Sequence, residues 1–301
     1  MLLELYKNVD SINTQTLYII TTNYTLLYAC AVRRYYKKHA PNISCKIRRD
    51  YTEKINDELK SRRYCLALFI GFTHIQDNNS LNNIPRKKYG LIQIEQLNQT
   101  LYYYQSINHD IVRLITGAVF TIDYSFANLQ FYPHSVKNKI RYFDIFRIID
   151  YSYKNYITTI LAKNKDIDVL FIGTINKRRR YIIDNLNMRL NTSVVEVANI
   201  FGDELVELLQ RTQIVINLHY YENCILEVFR LFDILQNSRC NIISEKPDLA
   251  CEQYLISKHF NNICFIDTIH SDSGSDSGSD CDNVNLNVDY LYHTINNILL
   301  I

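Results

Sequence analysis

The stretch from Ile214 to Glu245 constrains the fold of this chain more than any other. It begins with the apolar, β-branched run IVINL at 214–218, which is typical of a buried strand. A short polar and aromatic turn follows, with Asn223 as a candidate N-cap, and then an apolar segment of helical length at 224–237. A second apolar run at 241–244 completes a strand–turn–helix–strand unit, which is the repeating piece of a parallel α/β sheet.

The same alternation extends over the whole chain. Strand-like runs stand at 17–20, 43–47, 64–70, 89–94, 118–122, 169–172, 194–197, 214–218, 241–244 and 263–266. Helical patterns lie between most of them, and residues 141–148 are expected to close the first half. We therefore predict two doubly wound, Rossmann-like domains at 1–150 and 167–301, joined by a polar, partly helical connector at 151–166.

The composition limits the class of protein. Hydrophobic residues make up 47% and charged residues 21% of the 301 residues, which is globular composition. The net charge of +2 gives no reason to expect a nucleic-acid partner. Eight scattered cysteines lack zinc-site spacing, so we expect reduced thiols and a cytoplasmic protein. No signal-peptide pattern or membrane-spanning run is present, and the acidic repeat at 271–282 is expected to be a disordered loop.

Charged residues occur at one side of the apolar 224–237 helix. Glu227, Arg230 and Asp233 are three residues apart, whereas most of their neighbours are apolar. An unpaired buried charge costs several kcal/mol, so these residues either pair with one another or meet a polar ligand. The turn before them lies beyond the end of a strand, where ligands of open α/β sheets bind.

Two carboxylates in the first half stand at equivalent places. Glu95 and Asp123 each follow a predicted strand. They are candidates for chemistry at the ligand-binding edge, although carboxylates at strand ends also cap the helix that follows.

Four cations, Lys177 to Arg180, begin a predicted helix just after Gly173. Cations are disfavoured at a helix N-terminus unless an anion is near. Backbone N–H groups, a glycine and basic side chains together favour a phosphate site, while a solvated basic patch is the alternative. Neither a Walker loop nor GxGxxG is present, so ATP hydrolysis and NAD binding are not predicted.

Several of these segments resemble one family. HYYE at 219–222 with LExxR at 226–230, and GTINxRR at 173–179, are similar to the donor-binding half of GT-B glycosyltransferases of the family-1-like, CgeB-like group. EQL at 95–97 and DYSxxN at 123–128 are similar to the acceptor half. The resemblance extends from Leu17 to Glu245 and implies two facing Rossmann-like domains with a central cleft.

The resemblance also implies roles for individual residues. Glu227 is expected to hold the ribose of a nucleotide sugar, and Arg178 and Arg179 its diphosphate. The remaining donor-binding candidates are Gly173, Thr174, Tyr220, Glu222 and Arg230; the catalytic candidates are Asp123, Glu95 and His219; the acceptor-side candidates are Gln96, Tyr124 and Ser125.

The expected activity is transfer of a sugar from a nucleotide-sugar donor to an acceptor hydroxyl, without a cofactor or a metal ion. Asp166 and Asp168 match a metal-binding DxD motif, but Asp166 precedes its strand and so lies away from the predicted cleft. A transferase-like binding or scaffold protein without catalysis is the first alternative. A nucleic-acid-binding α/β protein that uses the basic run is the second.

Overall fold

A computed structural model of the chain describes residues 15–72, 83–97, 109–161, 164–220, 227–247, 262–267, 269 and 281–300. The chain divides into two compact units, Met1–Asp150 and Tyr151–Ile301. Each unit contains one parallel sheet with helices between its strands. The predicted α/β class with two parallel sheets is confirmed.

The first unit has a six-stranded sheet in the order β2-β1-β3-β4-β5-β6. Its strands are β1 (Gln15–Ile20), β2 (Ile43–Arg48), β3 (Cys65–Ile70), β4 (Tyr89–Ile92), β5 (Phe120–Asp123) and β6 (Ile140–Tyr142). Its helices are α1 (Leu26–His39), α2 (Glu53–Ser61), α3 (His109–Gly117) and α4 (His134–Lys137). All neighbouring strands pair in parallel.

The second unit has a five-stranded parallel sheet in the order β11-β10-β9-β7-β8. Its strands are β7 (Ile167–Ile172), β8 (Val194–Val197), β9 (Thr212–Asn217), β10 (Asn241–Glu245) and β11 (Ile263–Ile266). Its helices are α5 (Tyr151–Ile160), α6 (Lys177–Arg189), α7 (Gly202–Gln210), α8 (Val228–Asn237) and α9 (Cys281–Leu299).

The strand order reverses once in each sheet. In the second sheet the chain passes from β7 outward to β8 and then returns to β9 on the other side of β7. The reversal in the first sheet lies between β1 and β3. Ligands of open α/β sheets bind beyond the carboxyl ends of the strands at such a reversal. The pair β7 and β9 therefore marks one expected ligand site, at the loops that open helices α6 and α8.

Each sheet has its own hydrophobic core. All six residues of β3, CLALFI, are buried, as expected for a strand covered on both faces. In the second unit, Phe171 and Ile216 from neighbouring strands pack with Ile182 and Leu186 of α6. Burial of side chains of this size contributes about 1.5–3 kcal/mol each. The apolar periodicity of the sequence thus predicts the two cores correctly.

Some boundaries differ from the sequence-based prediction. Helix α8 begins at Val228, so Glu227 stands at its N-cap and not inside the helix. The segment 151–166, expected to be a partly helical connector, contains α5, in agreement with its predicted helical character, and α5 packs against α8. Helix α9 already begins at Cys281, inside the predicted acidic loop, whose residues 271–280 lie outside the described residues, as does Asn223. Among the described helices, none is both long and apolar enough to cross a membrane.

Candidate functional site

The candidate site lies beyond the carboxyl ends of β7 and β9. Asn176, the N-cap of α6, connects the two loops there. Its side-chain oxygen accepts a hydrogen bond from the backbone N–H of Arg179 at 2.9 Å, and its amide nitrogen donates to the carbonyl of Tyr220 at 2.6 Å. The start of α6 is therefore fixed against the loop that follows β9.

Arg178 points into the protein. Its guanidinium forms an ion pair with Glu245 and donates to the carbonyls of His219 at 2.7 Å and Ile269 at 2.5 Å. Glu245 is fully buried at the end of β10 and also accepts from the backbone N–H groups of His219 at 2.6 Å and Ile269 at 2.8 Å. The anion nearest to Arg178 is thus a carboxylate of the protein, and its predicted contact with a diphosphate stays a prediction.

Arg179 is almost fully buried beside it. Its Nη2 donates to the carbonyl of Leu218 at 2.6 Å and to Glu227 at 3.0 Å, and its Nη1 donates to the carbonyl of Thr174 at 2.8 Å. The guanidinium also lies over the rings of Phe171 and Tyr220, at 5.2 and 5.1 Å. Burial lowers the pKa of Arg179 to about 10, so the group remains charged at neutral pH.

Glu227 joins two arginines. Besides Arg179 it forms an ion pair with Arg230, whose Nη1 donates to Asn217 at 3.1 Å. The sequence left open whether Glu227 pairs with Arg230 or meets a ligand, and the structure contains the pair. The side chains of Glu227 and Arg230 are each 23% exposed, so both remain accessible to a ligand.

The positive charge of this cluster exceeds its negative charge. Three guanidiniums (Arg178, Arg179 and Arg230) stand against two carboxylates (Glu227 and Glu245). Burial lowers the pKa of His219, so this residue is neutral at pH 7 and adds nothing. Within the described residues the cluster therefore carries one surplus positive charge next to the N-termini of α6 and α8, which also attract anions.

Gly173 lets two guanidiniums of this cluster approach the loop after β7 closely. Its φ of 146° is in the region that favours glycine, and an added Cβ would lie 3.1 Å from Nη2 of Arg230 and 3.3 Å from Nη1 of Arg179. Among the described residues, Nη2 of Arg230 donates no hydrogen bond. Nη2 of Arg230 is thus a charged donor without an acceptor in the described part of the chain.

Three other predicted residues belong to the same loops. His219 is fully buried, and neither of its ring nitrogens has a hydrogen-bond partner among the described residues. Tyr220 contributes its ring to Arg179 and its carbonyl to Asn176, while Thr174 is exposed and contributes a carbonyl. Glu222 lies outside the described residues.

Asp233, the third charged residue of α8, is not part of the cluster. It is buried, and its Oδ1 has no hydrogen-bond partner in the described part of the chain. Burial raises the pKa of this carboxyl well above its usual value. Of the two possibilities that the sequence left open for the three charged residues, pairing therefore holds for Glu227 and Arg230, while the buried Asp233 forms no ion pair among the described residues.

We expect the stability of the protein to depend on pH through Asp233. Its pKa is higher in the folded than in the unfolded state, so its contribution is intact below about pH 4 and is lost as pH rises toward the folded pKa. Asp233→Asn should remove this loss, and the variant should gain on the wild type by up to about 1.4 kcal/mol per pH unit within that window. Urea unfolding of both proteins from about pH 5 to about pH 8 measures it. Parallel stability curves would contradict the prediction.

The first unit contains the acceptor-side candidates. Asp123, at the end of β5, is fully buried. Its Oδ1 accepts from the backbone N–H of Ser125 at 2.9 Å and from the Asn128 amide at 3.0 Å, and its Oδ2 accepts from the Tyr132 hydroxyl at 2.8 Å. Both carboxylate oxygens thus hold the loop after β5, and the role of Asp123 as a base stays a prediction.

Glu95 and Gln96 lie in the loop after β4 and are half-buried. Asn128 donates to the carbonyl of Glu95 at 2.9 Å and accepts from the backbone N–H of Leu97 at 2.7 Å, so the loops after β4 and β5 are joined. Tyr124 is buried. The structure therefore brings together the two carboxylate-bearing segments that the sequence marked.

The DxD motif is at the opposite end of the second sheet. Asp166 precedes β7 and pairs with Arg211 at 2.9 and 2.5 Å, and Asp168 accepts from Gln213 at 2.8 Å. Gly173 and the cluster follow the other end of the same strand.

Glu245, Asn176 and Asn217 are site residues that the sequence analysis missed. A carboxylate closing the apolar run NIISE was the available signal for Glu245, because a buried acid at a strand end requires a partner. Asn176 lies within the GTINxRR segment but was not singled out, and Asn217 gave no signal in a chain with many asparagines.

No family model matches the chain. The chain is 24% identical over 241 residues to "Uncharacterized protein L140" of Acanthamoeba polyphaga mimivirus, which covers 72% of this chain and 71% of that protein.

Proposed function

We propose that the protein is a metal-independent glycosyltransferase of the GT-B type, and that the second unit binds the diphosphate of its nucleotide-sugar donor. One observation carries the proposal: among the described residues, Nη2 of Arg230 donates no hydrogen bond, in a cluster with a surplus positive charge. A phosphate oxygen is the ligand that fits a charged donor next to two helix N-termini.

The three arginines of the site have different roles in our proposal. Arg178 stabilises the fold through Glu245, and Arg179 uses most of its donors on backbone carbonyls. Arg230 therefore replaces Arg178 as the main diphosphate ligand in our proposal. Glu227, which is partly exposed at the start of α8, remains our candidate for the ribose hydroxyls.

Stabilisation of the leaving diphosphate follows from the same groups. Negative charge grows on the diphosphate as the sugar departs, and preorganised cations and helix N-termini stabilise that charge without reorganisation. The guanidiniums of Arg230 and Arg179, which both pair with Glu227, supply the cations. The acceptor hydroxyl requires a base only if the reaction inverts the sugar configuration. Glu95 is our first candidate for that base, because both oxygens of Asp123 already accept hydrogen bonds.

The test begins with a thermal-shift screen against UDP-, GDP-, TDP- and CMP-sugars, because a ligand at about 100 Kd adds about 2.7 kcal/mol of stability. The best ligand is then titrated by calorimetry into the wild type, Arg230→Gln and Arg180→Gln. Arg180 is a matched control on α6, since it is half-exposed and pairs with Glu196.

Arg230→Gln should lose one or two charge-assisted hydrogen bonds, about 1.5–3 kcal/mol each, so its affinity should fall at least tenfold. Arg180→Gln should bind like the wild type, and EDTA should leave the affinity unchanged. Equal affinities of the two variants, or a dependence on Mg²⁺ or Mn²⁺, would contradict the proposed site.

The hydrogen bonding of Asp123 also favours a second candidate, a nucleotide-sugar-binding protein without transferase activity. Such a protein would bind the donor through the same cluster. Slow hydrolysis of the bound nucleotide sugar without an acceptor separates the two functions, because only a catalytic site activates the departing diphosphate. Binding without any hydrolysis or transfer would assign the second function.

A further inference from the structure

A strongly basic surface lies at one edge of the first sheet, far in sequence from the candidate site. Residues 33–49 contain seven Lys and Arg residues and no Asp or Glu. The other 26 basic and 31 acidic residues give the rest of the chain a net charge of −5. The total of +2, which argued against a polyanionic partner, therefore hides an uneven distribution of charge.

The fold gathers these residues at the edge strand β2 and the helix α1 that packs against it. We name the surface formed by Arg33, Lys37, Lys38, Lys46, Arg48 and Arg49 the basic edge. Lys46 is half-buried and the other five are exposed. The basic edge spans the six residues of β2, or about 20 Å of strand.

Cations stand on both faces of the sheet at this edge. Lys46 lies over the ring of Tyr18, 5.4 Å from its centroid, and Arg48, two residues on, points to the same face. Arg33 approaches Cys45 from the α1 side, where its charge opposes the rise of the thiol pKa to about 11 that burial causes. The basic edge is thus a ridge with positive charge on both flanks.

The acid nearest to these cations on the Tyr18 face is Glu58, which accepts a hydrogen bond from the Tyr18 hydroxyl at 2.8 Å. None of the six residues of the basic edge forms an ion pair in the described part of the protein. Among the described residues, the Arg48 side chain donates to the carbonyl of Ile47 at 2.8 Å and to no carboxylate. Asp50, the next residue after Arg49, is an exposed acid beside the basic edge and leaves its net charge strongly positive.

Aromatic rings accompany the charges. Tyr35 is half-buried and packs against the exposed His39, with 4.5 Å between ring centroids. No large apolar side chain of residues 33–49 is exposed, so this surface has nothing to insert into a bilayer. A row of cations beside an exposed ring, here that of His39, is typical of surfaces that bind single-stranded nucleic acid.

We infer that the basic edge binds single-stranded nucleic acid through its phosphate backbone, without sequence preference. Six contacts give a salt dependence with a slope of about −4, from about −0.7 per phosphate contact. Non-specific binding of this kind has a Kd of about 10⁻⁴–10⁻⁶ M at physiological salt. The inference is independent of the proposed transferase activity, which uses other residues.

The probe is a fluorescein-labelled oligothymidylate of about 20 nucleotides, followed by fluorescence anisotropy between about 50 and 200 mM KCl. The edge variant carries Lys46→Gln, Arg48→Gln and Arg49→Gln. The control variant carries Arg86→Gln, Lys137→Gln and Lys165→Gln, three exposed cations elsewhere with the same total change of charge. Far-UV circular dichroism checks that both variants fold.

The edge variant should lose about 2 units of the salt slope and roughly tenfold to a hundredfold in affinity at low salt, and the control variant should bind like the wild type. Equal losses of affinity in both variants would show that binding depends only on net charge, and would overturn the assignment. No binding by the wild type at about 50 mM KCl overturns it as well. Tighter binding to phosphatidylserine vesicles than to the oligonucleotide, at equal phosphate concentration, would assign the surface to a membrane instead.

Discussion

Replacing Glu245 by alanine should destabilise the second unit by about 3–5 kcal/mol, the usual cost of removing one partner of a buried ion pair. Glu245 is fully buried, and its loss would leave the guanidinium of Arg178 without a counter-charge. The backbone N–H groups of His219 and Ile269 would lose their acceptor as well. The chain has no tryptophan, so urea unfolding is followed by far-UV circular dichroism.

The matched control is Glu196→Ala. Glu196 pairs with Arg180 in the same bidentate manner as Glu245 pairs with Arg178, but at the surface. Pairs of that kind contribute about 0–1 kcal/mol. Similar losses of unfolding free energy for the two variants would show that the buried ion pair of Glu245 contributes no more than a surface ion pair.

Asp123→Ala should destabilise the first unit by about 3 kcal/mol or more. Three buried donors would lose their acceptor: the backbone N–H of Ser125, the amide of Asn128 and the hydroxyl of Tyr132. Each unsatisfied buried group costs about 1–3 kcal/mol. Urea unfolding gives the loss directly.

Asp123→Asn distinguishes a role in the fold from a role as a base. The variant keeps one oxygen for the donors of Ser125 and Asn128, so we expect most of the stability to return. A base, in contrast, would be lost equally in both variants. Full stability of Asp123→Ala, together with a loss of turnover in Asp123→Asn, would restore Asp123 as the catalytic base.

The helices and strands were predictable because buried apolar positions recur at a regular spacing in the sequence. The run at 65–70 is apolar at every position, since β3 is covered on both faces. Helix α2 follows Thr52, whose side chain accepts from the backbone N–H of Ile55 at 3.4 Å, as an N-cap does. The start of α8 was mispredicted because the apolar pattern continues upstream of Val228, while the backbone at Glu227 is not helical.

The candidate site was predictable in part of its membership but not in its long-range pairings. Gly173, Arg179, Glu227 and Arg230 were marked by their types at strand ends and helix starts, and the structure brings them together. Arg178 and Arg179 are neighbours with the same chemistry in the sequence. Only the fold gives one of them Glu245, 67 residues away, and the other Glu227, 48 residues away.

The sequence by itself determined the α/β class, the two sheets and the strand ends at which polar residues collect, because these depend on local periodicity and on which residues follow a buried strand. Only the tertiary structure decided which charges neutralise one another and which remain open. It placed Asp233 in the interior, left Nη2 of Arg230 facing Gly173 and gathered the cations of α1 and β2 at one edge. The physical reason is that electrostatic energy depends on distance and desolvation in space, and residues far apart in the chain set both.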